Sequence, residues 1–220
     1  VSQVLSLLPD HPCYPQKLQQ HWDTHPLPTL STIGNLQILQ NQTLALFCSV
    51  QCPGDLILKT YDLARTLRDT NIVVISGFHS PMEKECLTLL LRGKQPILHC
   101  PARSLEKMRL LKEPKIAIDN GRLLFLSPFP AKQHRATAVL AQVRNQLVAA
   151  LADAIFIAYA TPGSKTETLA RQTIAWDKPL LTFDSSDNQN LLNLGAQTIN
   201  PVFETSLWTG LGHGKRLPPM

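Results

Sequence analysis

The sequence predicts a doubly wound α/β fold, a mainly parallel Rossmann-like sheet with helices on both faces. Two observations predict it. From residue 43 onward, short apolar runs alternate with longer stretches of helical periodicity. The runs are continuously apolar, as strands covered on both faces require, and such an alternation joined by right-handed crossovers gives a doubly wound sheet.

The elements follow in order. Residues 1–42 are rich in Pro, Gln and His and read as an irregular lead-in packed on the core, with one helical candidate around residues 15–21. "TLALFCS" (43–49) is a short buried strand, and "GDLILKTYDLARTLRDT" (54–70) carries apolar residues at helical spacing. "NIVVIS" (71–76) is a β-branched central strand, "PMEKECLTLLLRG" (81–93) a helix ended by Gly93, and "QPILHC" (95–100) a strand. "GRLLFLS" (121–127) is a strand and "HRATAVLAQVRNQLVAALAD" (134–153) the longest helix. "AIFIAYA" (154–160), "SKTETLARQTIAWD" (164–177), "KPLLTFD" (178–184) and "NQNLLNLGA" (188–196) continue as strand, helix, strand and a short helix closed by Gly195. The core thus spans 43–200, and 201–220 is a loosely held tail.

Composition sets limits. Hydrophobic residues at 44% and charged ones at 17% describe a globular chain rather than a disordered one. No apolar run approaches the roughly 18–20 residues that span a bilayer. The N-terminus "VSQVLSLLPDHPCYP" lacks the basic lead-in of a signal peptide, so no membrane partner and a cytoplasmic location are expected. Five cysteines, with one C-x3-C pair in "CSVQC", fit neither a disulfide framework nor a zinc site, so neither metal nor cofactor is expected. A net charge of +5 and a pI near 9.0 permit nucleic acid or phosphorylated ligands without demanding them.

Ligands of an open α/β sheet gather beyond the carboxyl ends of its strands, where four loops stand out. "SVQCPG" (49–54) lacks the dinucleotide fingerprint but offers Ser49, Gly54 and a helix start to an anion; a plain turn is the competing reading. "SGFHSPMEKE" (76–85) supplies Ser76, Gly77, His79 and Ser80. Ser80 and Glu83 match a helix capping box, while His79 near carboxylates could form an acid/base pair. In "PAR" (101–103), Arg103 can grip a phosphate or simply be a solvated cation, and Ser104 reads as a helix N-cap. "TPGSKTETLA" (161–170) offers Pro162, Gly163, Ser164, Lys165 and Thr166. Gly163 there reads as making room for close backbone approach, Ser164 or Thr166 as the cap, and Glu167 as a dipole-stabilising helix start. Arg144 and Asn145 interrupt an otherwise apolar helix leading into this strand.

"RNQLVAALADAIFIAYATPGSKTETLA", "NIVVISGFHSPMEKECLTLLLRG", "CYPQKL" with "PLPTLSTIGNLQIL", "LSPFP" and "NLLNLGA" resemble, in order and spacing, segments of the DNA-processing protein A (DprA/Smf) family. The likeness runs over about residues 14–198. It implies a Rossmann-like core of the type shared with the LOG nucleotide phosphoribohydrolases, and a binding protein rather than an enzyme. That protein would bind single-stranded DNA, help load a RecA-type recombinase during DNA uptake and transformation, and form a homodimer. Carried across, Ser49, Ser76, Gly77, Arg103, Arg144, Asn145, Gly163, Ser164 and Lys165 would hold phosphates of a strand or nucleotide. "CSVQ" stands where the family has Gly-Ser-Arg, and "GFHSPMEKE" replaces its Gly-Ile-Asp text. The expectation is a core-only member without the helical and winged-helix domains of fuller relatives. Two alternatives stand beside it: a small-nucleotide binding or sensing domain, and a LOG-like phosphoribohydrolase using Glu167 as its catalytic carboxylate.

Overall fold

A computed structural model describes residues 3–22 and 26–200 of the protein. The chain runs β1 (Leu5–Leu7), α1 (Gln16–His21), β2 (Leu30–Gly34), a 3-10 turn (Leu36–Gln40), β3 (Thr43–Phe47) and α2 (Gly54–Leu67). It continues through β4 (Val73–Ser76), α3 (Pro81–Leu91), β5 (Ile97–His99), α4 (Lys112–Asp119), β6 (Leu123–Ser127) and α5 (Ala138–Leu151). It ends with β7 (Ala154–Ile157), α6 (Lys165–Ala175), β8 (Leu180–Thr182), α7 (Gln189–Asn193) and β9 (Gln197–Thr198). The strands lie in the order β1-β2-β6-β5-β4-β3-β7-β8-β9. Every pairing from β6 to β9 is parallel; β1 and β2 alone run antiparallel among the described strands.

The doubly wound α/β expectation holds, and its physical basis is visible in the strands. Leu44 and Leu46 of β3 join Val74 and Phe156 under α2 and α3, while Ala45 and Phe47 join Ile75 and Ile157 under α5 and α6. Successive residues feed opposite layers, so a strand buried on both faces must be apolar throughout. Each fully buried Leu, Ile or Phe contributes about 1.5–3 kcal/mol relative to exposure. Lys178 closes one layer by donating from Nζ to the carbonyls of Ala149, Ala150 and Ala152 at the end of α5.

Three differences from the sequence reading have local causes. The lead-in is not irregular throughout: β2 pairs with β6 from Ser31↔Ser127 to Gly34↔Leu124 and covers that edge of the parallel sheet, and β1 pairs with β2. Helix α5 starts at Ala138 rather than 134, because Thr137 takes the N-cap and accepts Leu140 N–H at 3.2 Å. Ser104 accepts Glu106 N–H at 3.1 Å but caps a turn, since no helix begins before Lys112. The expected tail, 201–220, lies outside the described residues.

Chain order fixes where a ligand can approach. From β3 the chain passes through α2 to β4 on one side, whereas β7 pairs on the other side. This reversal beside β3 is the switch point of the sheet, and it brings the loops after β3 and β7 to the carboxyl edge.

Candidate functional site

At the switch point, the loops after β3 and β7 are tied together. Ser49 donates its N–H to Tyr159 O at 2.9 Å, and its Oγ accepts Thr161 N–H at 3.0 Å. Ser49 is nearly covered, while Val50 and Gln51 stand exposed. Helix α2 then starts from Pro53, which has no capping side chain, so the first amides at Gly54 meet no side-chain oxygen. By contrast α3, α5 and α6 are capped by Ser80, Thr137 and Ser164.

The turn after β7 is wired through Glu167. Its carboxylate accepts Gly163 N–H at 2.5 Å and pairs with Arg171 Nη2 at 2.7 Å. The Gly163 hydrogen bond first, then Arg171 and Asn190, hold the Glu167 pKa below the ordinary glutamate value. Ser164 accepts Glu167 N–H at 3.3 Å, so it, not Thr166, caps α6. Gly163 sits at φ +72 with no atom within 4 Å of where a Cβ would lie. Conformation, not close approach, requires glycine there. Pro162, Gly163 and Lys165 are exposed, and Thr166 half-buried.

Beyond β4 the geometry tightens. Ser76 is fully buried and accepts Phe78 N–H at 3.1 Å. Phe78 itself adopts φ +45, a strained conformation for a bulky residue. Arg144 lies directly over Gly77: a Cβ there would fall 1.1 Å from Arg144 Nη1. The guanidinium is only 4% exposed, donates to Cys100 O at 3.3 Å, and leaves its Nε without a partner. Burial lowers the Arg144 pKa, opposed by Glu83 and Cys100, yet no carboxylate lies within ion-pair distance among the described residues.

The capping box of α3 is present and reaches further than a cap requires. Glu83 accepts the N–H groups of His79 and Ser80 at 2.8 and 3.3 Å, and its other oxygen accepts Cys48 N–H at 3.1 Å. One carboxylate therefore joins the ends of two strands. His79 is exposed, and only its backbone enters this network. His99, which sequence reasoning did not single out, packs against Phe125 and Phe78 with centroids at 4.8 and 5.1 Å. Burial, with Arg144 beside it, pushes its pKa down to about 3, so the ring is neutral.

The loops after β5 and β6 form the third part of this edge. Ser127 Oγ donates to Arg103 O at 2.8 Å, and Ser104 N–H donates to Gln133 O at 2.8 Å, knitting the two loops. Residues 101–137 hold eight Lys and Arg against three Asp and Glu, a net of +5. That is the net charge of the whole chain, and the remainder balances at thirteen of each sign. Lys107, Arg109, Lys112, Lys132 and Arg135 are exposed, and none forms an ion pair among the described residues. Of the eight cations of 101–137 the sequence reading named only Arg103; a running charge count would have found the others.

The structure thus gathers Ser49, Gly54 and residues 162–166 at the switch point, and Ser76, Gly77 and Arg144 beyond β4. Ser76, Gly77 and Ser80 are buried, whereas Asn145 is half-buried. Among the described residues no group of His, Cys, Asp and Glu is placed to hold a metal ion, and no helix is long and apolar enough to cross a membrane.

Comparison with solved structures places this architecture. DNA processing protein A from Streptococcus pneumoniae superimposes with a TM-score of 0.73 at 19% identity, covering 90% of this chain and 71% of that one. DNA processing protein A from Helicobacter pylori, solved for its single-stranded DNA binding mode, gives 0.72 at 23%, covering 90% and 91%. The molybdenum cofactor binding protein of Rippkaea orientalis gives 0.52 at 11%, covering 73% and 91%. These likenesses speak to the fold. A search of curated proteins by sequence returns no match. The model of the DNA recombination-mediator protein A family, however, matches residues 6–204, and the chain belongs to that family.

Proposed function

We propose that the protein binds single-stranded DNA along the carboxyl edge of its sheet, in DNA uptake and recombination. The phosphate contacts comprise Ser49, Gly54, Arg103, Arg144, Asn145 and Lys165, with the 162–166 turn and residues 76–80 shaping the surface. The observation that carries this reading is that 101–137 holds the whole net charge, with five of its eight Lys and Arg against one Glu on the loops after β5 and β6, beside Arg144, which has no carboxylate partner among the described residues. Unpaired exposed cations gain most from a polyanion, whose condensed counterions they release. A buried guanidinium without a carboxylate is costly, and a phosphate would offset that cost. Homodimerisation, a RecA-type recombinase partner, cytoplasmic action and a binding core of 43–200 complete the proposal on the strength of the family.

The alternatives are less favoured. Glu167 is engaged by Gly163, Arg171 and Asn190, which leaves it poorly placed as a catalytic carboxylate. A single nucleotide would use the switch point but leave the basic loops without a partner.

Salt-titrated binding of single-stranded oligothymidine, duplex DNA and mononucleotides tests the reading. The expected result is single-strand binding that tightens with length and weakens linearly in log salt, by about 0.7 log units per contacted phosphate per decade. Mononucleotides binding as tightly as a long strand, or no strand binding at low salt, would refute it.

A further inference from the structure

Helix α5 carries its core-facing stripe past the end of the sheet. Leu151, Leu147, Arg144 and Leu140 follow one another at helical spacing on one face, and the first three are 3%, 0% and 4% exposed. Arg144 lies over Gly77, the residue after β4, so residues 138–143 reach toward and past the carboxyl end of that strand. They read "AVLAQV", a stretch about 9 Å long at 1.5 Å per residue and as apolar as the buried turns that follow. Yet Val139 is 68% exposed, Leu140 and Val143 are half-buried, and none of the three packs against either buried core cluster of the described residues. Val139 and Val143 stand one turn apart with Leu140 beside them, so the three form one patch. Charge frames it. Lys132 and Arg135 are exposed on the loop leading into α5, without ion pairs among the described residues, and Arg144 borders the inner end with its Nε unpartnered. No Asp or Glu occurs between Asp119 and Asp153.

We propose that the patch of Val139, Leu140 and Val143 receives unpaired bases of a strand whose phosphates meet Lys132, Arg135 and Arg144, and thereby selects single strands over duplex. Cations beside an acid-free apolar face suit a ligand that is anionic on one side and apolar on the other. A single strand is such a ligand, because each phosphate is followed by a base whose flat faces are open to contact. A duplex hides those faces in its stack. Phosphate contacts carry no information about the bases, so they hold strand and duplex on the same terms. The patch supplies the difference. Contact with a base face also tolerates any sequence, since every base has one. The patch adjoins the edge assigned to the strand above, and the inference rests on that reading.

The experiment titrates the full chain with three ligands of equal length: oligothymidine, a strand whose sugars lack bases, and duplex DNA. The abasic strand keeps every phosphate and loses only the bases. The expected result is about tenfold tighter binding of oligothymidine than of the abasic strand, with the same salt dependence. Val139→Ser should weaken oligothymidine about threefold and leave the abasic strand and the duplex unchanged. Val139→Phe offers an aromatic platform and should tighten oligothymidine alone, by about fivefold. Both variants should melt as the wild type does, because Val139 is exposed. Equal binding of the two strands by the wild type, a Val139→Ser loss that falls on both alike, or no gain from Val139→Phe would overturn the inference and leave the single-strand reading standing. Self-association that Val139→Ser abolishes, with equal binding of both strands, would give the patch to a second copy of the chain instead. No binding of either strand at low salt would end the single-strand reading and this inference with it.

Discussion

The switch point and the loops after β5 and β6 share one edge of one sheet but are built oppositely. At the switch point the polar groups are largely engaged with one another: Ser49 with Thr161, Ser164 with Glu167, Glu167 with Gly163 and Arg171. In the β5 and β6 loops the backbones are tied, yet the exposed cations they carry form no ion pair among the described residues. Under the proposed function, topology would make the first region the ligand cleft and charge would make the second the attraction for a polyanion. A ligand that uses both must be extended. That contrast favours a strand over a mononucleotide.

The largest expected effect separates the two regions directly. Replacing Lys107, Arg109, Lys132 and Arg135 together by alanine should weaken oligothymidine binding on the order of 10²-fold at low salt and flatten the salt dependence. Thermal stability should hold, because these side chains are exposed and form no ion pair among the described residues. Lys165→Ala at the switch point removes one contact and should cost several-fold less. Equal losses from the two variants would erase the distinction, and a larger loss from Lys165→Ala would reverse it.

A second effect lies between the regions, where Arg144 covers Gly77. Gly77→Ala places a methyl where the guanidinium sits, and the side chain must leave a site in which it is 4% exposed. The expected cost is about 1–3 kcal/mol in denaturant unfolding, the usual range for overpacking. In an Arg144→Ala background the same substitution should cost much less, since the obstacle is gone. Additive costs in the double-mutant cycle would place the strain elsewhere.

How much of this was legible follows from the same contrast. The central strands were readable because residues such as Leu44–Phe47 are buried on both faces, and burial leaves an uninterrupted apolar signature. β1 and β2 were hidden among prolines, and their pairing depends on an open β6 edge, a tertiary fact. Helix α4 escaped notice because Pro114 sits inside it; at its first turn no intrahelical N–H is needed, so the helix tolerates it. The position of Arg144 was visible in the sequence, but its path over Gly77 depends on how α5 crosses β4. The basic loops were countable along the chain. What counting lacked was the knowledge that the segments after β5 and β6 are neighbours.

The smallest expected effect concerns the internal wiring of the switch point. Glu167→Gln keeps the size of the side chain but removes the charge that Gly163 N–H and Arg171 address. Arg171 is largely exposed, so solvent screens its share, and the expected loss is about 1 kcal/mol. Because the folded pKa of Glu167 lies below its unfolded value near 4.3, its stabilisation is present above that pH. It fades as pH falls through the lower folded value, so the stabilities of wild type and variant should converge in acid. Strand affinity near neutral pH should change little if Glu167 only shapes the turn. A marked loss of affinity with unchanged stability would mean that its carboxylate orders the ligand-bearing amides, and the switch point would then contribute more to binding than its charge suggests.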